Sequence, residues 1–293
     1  MTNITIGFVP RERFSSAAES LESILTHTDT PYEMLIVDCA TPPEVWAEIE
    51  ALIEGRDNIR VLRTDHVLLP NEAKNLVIRE TKTEYLCLIE NDNLVEPGWL
   101  DKFLKACEEM PADVAVPLLM ENRPGSTKVH FDTALGSIEV VQTDEGEKLH
   151  VKPRKHTGEL AKKGRQYQEF MEVHCLFFRT SVFEKIGGFD EEVNMSEEVD
   201  LSIALQQAGV PCVFEPACVI HYILPEYPLP ESDLPFYMNK WDLDRARKSI
   251  ETIQNRWKLT RPPQILGFTA ERFYRGSGRL NERVEQLRES NPD

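Results

Sequence analysis

The chain has 293 residues, with 50 Asp and Glu against 33 Lys and Arg and a net charge of −17. Such a length buries a substantial core, as one large α/β domain or a domain plus an extension, and the acidity argues against non-specific nucleic-acid binding or docking on anionic lipid. No apolar run approaches the ~20 residues of a membrane span, and the N-terminus lacks a basic stretch followed by an apolar one.

The first third alternates strand and helix. Ile4 to Val9 reads as a strand that stops at Pro10, and Ala18, Leu21, Ile24 and Leu25 recur at helical spacing after it. Met34 to Val37 is a second buried strand ending at Asp38; Pro43 to Ile53 is a helix with Pro42-Pro43 near its start and Gly55 past its end. Ile59 to Leu62 is a third strand, Asn71 to Arg79 a third helix, and Tyr85 to Ile89 a fourth strand. Pro97 opens a helix through Leu100, Phe103, Leu104 and Cys107. This order implies right-handed βαβ units and a mostly parallel sheet flanked by helices.

The fourth strand ends abruptly in acids. Glu90 and Asp92 lie two residues apart, so both carboxylates point to one side. Ligands of open α/β sheets bind outside the carboxyl ends of the strands. Two hard oxygen ligands there suit Mn²⁺ or Mg²⁺ carrying a phosphorylated substrate; a solvated loop after a core strand is the plainer alternative.

The middle is less regular. Val114 to Val116 is a short strand, and residues 121 to 168 are polar with little periodicity. Lys148, Lys152, Arg154, Lys155, Lys162, Lys163 and Arg165 form a basic cluster that is either a solvated loop or a flap over an anionic ligand. Strands return at Val173 to Phe178, Cys212 to Phe214 and Cys218 to His221, with a helix from Leu201 to Ala208 closed by Gly209. Amphipathic patterns follow at Leu243 to Trp257 and Leu280 to Leu287. The six cysteines form no C-x-x-C pair and sit beside apolar neighbours, as buried free thiols of a reducing compartment do.

In this order the motifs over residues 3 to 222 resemble the family-2 glycosyltransferases, whose fold is the nucleotide-sugar-binding GT-A type. Asn71-Glu72-Ala73-Lys74-Asn75-Leu76 resembles A-R-N-x-G, and Tyr85 to Leu100, with Pro97, Trp99 and Leu100, resembles the family's acidic block. Gly187-Gly188-Phe189-Asp190-Glu191 and Glu197-Glu198-Val199-Asp200-Leu201 resemble its acceptor-side block. The resemblance implies a GT-A domain over residues 1–222, with a Pro-rich connector and helical extension over 223–293.

It further implies a nucleotide edge at Pro10, Arg11, Asp38, Lys74, Asn75 and Asn91. Metal ligands would be Asp92, Glu90 and His221, and Trp99, Asp190, Glu197, Lys240 and Trp241 would line the donor or acceptor cleft. Glu198 would be the base for the acceptor hydroxyl in a direct, inverting displacement. Helix capping by Asp38, Glu197, Glu198 and Asp200 is the structural alternative.

The donor would be a nucleotide-diphosphate sugar, a UDP-sugar first among them, and the acceptor a glycan, a lipid-linked molecule or a small molecule. The protein would be cytoplasmic, whether or not peripheral to a membrane-bound pathway. Three departures stand out: Cys39-Ala40 after Asp38, Glu90-Asn91-Asp92 for an all-aspartate run, and Glu198 where Asp is usual. A binding-only relative of the same fold is the alternative function. A dinucleotide oxidoreductase is disfavoured because no G-x-G-x-x-G follows the first strand. Phe236 to Trp241 either packs on the main domain or borders the acceptor cleft, and the tail helix either makes a homodimer or covers a sheet edge.

Overall fold

Six consecutive buried residues make Ile4–Val9 (β1) a central strand rather than a half-exposed one. The computed structural model describes residues 3–131, 136–152 and 164–278. After β1 come α1 (Ala17–His27), β2 (Glu33–Cys39), α2 (Pro43–Ile53), β3 (Ile59–Thr64), α3 (Pro70–Glu80) and β4 (Tyr85–Glu90). Local chemistry fixes the helix starts. Pro43 begins α2 where no amide partner is needed, and Glu72 in the first turn of α3 accepts the Leu69 N–H at 2.7 Å. β1 pairs in parallel with β2 and β4, and β2 with β3, as the alternating pattern implies.

The sheet then changes direction. β5 (Asn93–Val95), α4 (Trp99–Glu109), β6 (Val114–Glu121) and β7 (Val129–Phe131) follow, then the hairpin β8 (Ile138–Thr143) and β9 (Gly146–Val151). Next are β10 (Gln166–Tyr167), β11 (Cys175–Arg179), α5 (Val182–Ile186), α6 (Glu197–Gln207) and β12 (Cys212–Tyr222). The main sheet runs β10-β12-β6-β11-β4-β1-β2-β3, with β5 on β12 and β7 on β6. β11 is antiparallel to both β4 and β6, while β12 runs parallel to β6. The carboxyl ends of β1 and β4 therefore open beside the end of β12.

Gly7 is the tightest point of this layer. A Cβ there would lie 2.5 Å from Val77 Cγ1 of α3 and 3.0 Å from Leu88 Cδ2 of β4. Only a bare backbone lets α3 sit so close.

Several expected boundaries differ. The two strands expected at 212–214 and 218–221 are one strand, β12, with a register shift between Glu215 and Val219. The polar stretch from 121 to 168 holds β7 to β10, whose alternation is too short to stand out. α6 begins at Glu197, four residues before the expected start, after Ser196 in a left-handed conformation (φ 59°).

Beyond β12 lie α7 (Leu234–Lys240), α8 (Leu243–Trp257) and α9 (Leu266–Gly276). Pro235 sits in the first turn of α7, where proline is tolerated, so the Pro-rich connector still gives a helix. The helix expected at Leu280 to Leu287 lies outside the described residues. All six cysteines are buried free thiols. Among the described residues no helix is long and apolar enough to cross a membrane.

Candidate active site

The loop after β1 is built around three charged side chains. Asn91, just past β4, fixes it from below: its Oδ1 accepts the Arg11 N–H at 3.1 Å and its Nδ2 donates to the Arg13 carbonyl at 2.8 Å. Glu90 is fully buried and compensated on both oxygens, Oε1 by Lys74 Nζ at 2.7 Å and Oε2 by Arg11 Nε at 2.9 Å. Asp92 Oδ2 lies 3.5 Å from Arg11 Nη1 and 3.7 Å from Arg13 Nη1. Its burial, only partly offset by Arg11 and Arg13, pushes its carboxyl up to about 7.

Glu12 completes the cluster. It accepts from Arg13 Nη1 at 2.9 Å, Tyr222 Oη at 3.1 Å and Trp241 Nε1 at 2.8 Å. Burial opposes its charge, but Arg11, Arg272 and Arg13 outweigh that and hold its carboxyl down at about 2.

Glu90 and Asp92 thus stand together at the strand end, on the side the spacing gives. The third expected metal ligand does not join them. His221 Nε2 lies 3.0 Å from Glu96 Oε1, while the next residue, Tyr222, turns to Arg11, whose Nη1 donates to its hydroxyl at 3.0 Å. Adjacent residues of a strand face opposite sides, so only one of the two can reach this site.

The donor set does not fit a divalent cation. Among the described residues no three His, Cys, Asp or Glu side chains are arranged to hold one. Glu12 and Glu90 are already paired with Arg11, Arg13 and Lys74, and Asp92, whose carboxyl is pushed up to about 7 by burial, lies beside two of those cations. An ion on Asp92 Oδ2 would meet two guanidinium groups at once.

Arg11 also lines a cavity of about 290 Å³, shared with Lys240, Arg272 and Trp241 from the C-terminal helices. Its far wall carries His130 and His174, whose rings pack on Tyr222 at 4.9 and 4.7 Å between centroids. His130 pairs with Glu121 at 3.1 Å, and His174 with Glu172. Burial lowers both imidazoles below their ordinary value, so they are neutral at pH 7. Sequence reasoning missed Glu12, Arg13, His130, Glu172, His174, Tyr222 and Arg272; the only advance signal was charge and histidine beside strand ends.

The first turn of α6 forms another side of the cavity, and its acids have distinct surroundings. Glu197 is buried against Lys240 at 3.0 Å; burial raises its carboxyl, but Lys240 and Lys74 outweigh that and lower it. Asp200 accepts from Trp257 Nε1 at 2.6 Å and Arg256 Nη1 at 3.1 Å, away from the opening. Glu198, half-buried, lines this cavity and also a second one of about 260 Å³ formed with Phe170, Val199, Leu259 and Arg261.

The other expected residues lie elsewhere. Pro10 is buried at the end of β1. Asp38 accepts from Arg63 Nη1 at 2.6 Å and the Thr41 N–H at 3.2 Å, outside both cavities. Asn75 clamps the Gly187-Gly188 turn by accepting the Phe189 N–H at 2.9 Å and donating to its carbonyl at 2.8 Å. Trp99 is fully buried, donating to Thr28 Oγ1 at 2.9 Å, and Asp190 pairs with Arg256. In the basic stretch, Lys148 pairs with Glu145, Lys152 with Glu139, and Arg165 with Glu109 and Glu215. Arg154, Lys155, Lys162 and Lys163 lie outside the described residues.

Comparisons with known proteins bear on the family and the fold. Residues 11–187 match the description "Glycosyl transferase family 2". A pre-mycofactocin glycosyltransferase of Mycobacterium tuberculosis is 26% identical over 175 residues, 59% of this chain and 34% of that protein. The chain spans between 24% and 34% of the first curated relatives it matches. Two solved structures share the fold. One is GalNAc-T7 with UDP, GalNAc and Mn²⁺, at TM-score 0.59 and 14% identity, covering 100% of this chain and 58% of that one. The other is the mannosyltransferase PcManGT of Pyrobaculum calidifontis with GDP-Man and Mn²⁺, at TM-score 0.58 and 13% identity, covering 99% and 76%. The mixed, mostly parallel sheet with its helical C-terminal region is the GT-A fold, and the chain belongs to glycosyl transferase family 2.

Proposed function

We propose that this chain transfers a sugar from a nucleoside-diphosphate donor to an acceptor hydroxyl, with inversion at the anomeric carbon and Glu198 as base. The observation that carries the reading is the position of Glu198, on the turn that separates the cavity of Arg11, Lys240 and Arg272 from the one lined by Phe170, Leu259 and Arg261. The first cavity is assigned to the donor, whose diphosphate would meet Arg11, Lys240 and Arg272 there. The second is the acceptor side. The acceptor O–H gives its proton to the Glu198 carboxylate as its oxygen bonds to the anomeric carbon. The bond from that carbon to the β-phosphate oxygen breaks, and the electron pair stays on the phosphate, where positive charge stabilises it.

UDP and GDP-mannose in the structures of similar fold support a nucleotide-sugar donor, with a UDP-sugar as the first choice. A glycan, a lipid-linked molecule and a small molecule all remain as acceptors. The Mn²⁺ in those two structures favours a second reading, in which Mn²⁺ or Mg²⁺ sits at Glu90 and Asp92. The ion pairs already made by those acids oppose it, and the donor's charge is assigned here to this chain's own cations.

Glu198→Gln tests the base. Donor binding should persist while transfer falls about 10²–10⁴-fold, read as kcat with unchanged nucleotide affinity. Glu197→Gln, which breaks the pair with Lys240, should mainly lower stability. Loss of transfer in Glu197→Gln with full activity in Glu198→Gln would move the base by one residue; activity in both would end the assignment.

A further inference from the structure

We propose that Arg11 takes the place of a divalent cation at the donor diphosphate, so that nucleotide binding here does not require metal. The inference rests on the nucleotide-sugar reading above and concerns how that site handles charge. Arg11 is held in place from three directions. Its Nε lies against Glu90 Oε2 at 2.9 Å, its Nη1 donates to Tyr222 Oη at 3.0 Å and faces Asp92 Oδ2 at 3.5 Å, and its guanidinium carbon sits 4.9 Å from the centre of the Tyr222 ring. No hydrogen bond from its Nη2 is present among the described residues, and the side chain borders the donor cavity. A guanidinium anchored on one edge and open on the other offers paired N–H groups to phosphate oxygens.

The surroundings explain why an ion would be redundant. Glu90 and Asp92 have no exposure, and Glu90 is also bonded to Lys74 at 2.7 Å. Glu90 Oε2 and Asp92 Oδ2 accept no well-formed hydrogen bond among the described residues, so the ion pairs with Arg11 and Arg13 are what compensates them. A metal at these oxygens would displace the groups that make their burial tolerable. Arg11 performs one task toward the acids and another toward the ligand, as a bridging cation would.

The test is calorimetric titration of UDP and GDP into the full chain, in EDTA and in Mn²⁺, with electron paramagnetic resonance of Mn²⁺ in parallel. Wild-type protein should bind one of the nucleotides equally under both conditions, and the free Mn²⁺ signal should not fall when protein and nucleotide are added. Arg11→Ala should lose about 10- to 100-fold in affinity in EDTA. If that variant does not fold, Arg11→Lys, which keeps the charge but loses the fork, should still lose affinity. Nucleotide binding by the wild type that EDTA abolishes and Mn²⁺ restores would overturn this inference and leave the transferase reading intact. An Arg11→Ala variant that binds as tightly as wild type in EDTA would overturn it too. No nucleotide binding in either condition would overturn both.

Discussion

Glu12 is a carboxylate with no exposure, surrounded by donors from its neighbour Arg13 and from the distant Tyr222 and Trp241. Its folded-state value of about 2 lies below the ordinary 4.5, so it contributes stability that is present above 4.5 and lost as the pH falls through 2. Glu12→Gln should therefore cost about 3 kcal/mol at pH 7, the range for breaking a buried ion pair. Urea unfolding at pH 7 and pH 3 should show the gap to wild type narrowing at the lower pH. A gap that is constant with pH would mean the carboxylate is not ionised in the folded protein. At this scale the sequence reading was uneven. Glu90 and Asp92 do stand together against Arg11, although β4 ends at Glu90 and Asp92 lies in the turn after it rather than in the strand. His221 was assigned to the metal by resemblance alone; in β12 it faces Glu96, and its neighbour Tyr222 faces Arg11. Asn91 and Lys74 were expected to meet the nucleotide; Asn91 instead braces the loop that presents Arg11, and Lys74 neutralises the acid beneath it.

Among the elements, contact between α3 and the sheet depends on the absence of a side chain at Gly7. Gly7→Ala would drive a methyl to within 2.5 Å of Val77 and should destabilise the fold by about 1–3 kcal/mol, measured by denaturant unfolding. Pairing it with Val77→Ala should recover part of the loss; no recovery would place the strain elsewhere. The β-α alternation through β4 was readable because each strand is a short apolar run and each helix buries a single stripe, such as Trp99, Leu100, Phe103, Ala106 and Cys107 in α4. β7 to β10 were not readable. They are strands of two to six residues, and in the hairpin strands only Ile138 is buried, so no apolar alternation sets them apart. α7 was hidden by Pro235, since a proline in the first helical turn looks in sequence like one that breaks a helix.

The whole molecule is tied together by Asp233, a buried carboxylate just before α7. It accepts the Phe14 N–H at 2.8 Å, the Ser15 N–H at 3.1 Å and the Ser15 hydroxyl at 2.5 Å. Asp233→Ala leaves the buried Phe14 amide without this partner and should cost about 1–3 kcal/mol. Limited trypsin digestion should then cut within α8 and α9 faster than in wild type; equal rates would show that Phe236 and Trp241 alone hold the C-terminal helices. The C-terminal region supplies Lys240, Trp241 and Arg272, and so, among the described residues, two of the three Lys and Arg side chains of the cavity that Arg11 borders from the loop after β1. Chains are synthesised from the N-terminus, so Arg11 is in place long before the residues that face it exist. A chain made only as far as β12 has every strand of the main sheet but not Lys240, Trp241 or Arg272, which help to line the cavity beside Arg11. Until Trp241 emerges, a nascent chain thus carries the Glu12 carboxylate without one of the three donors that satisfy it.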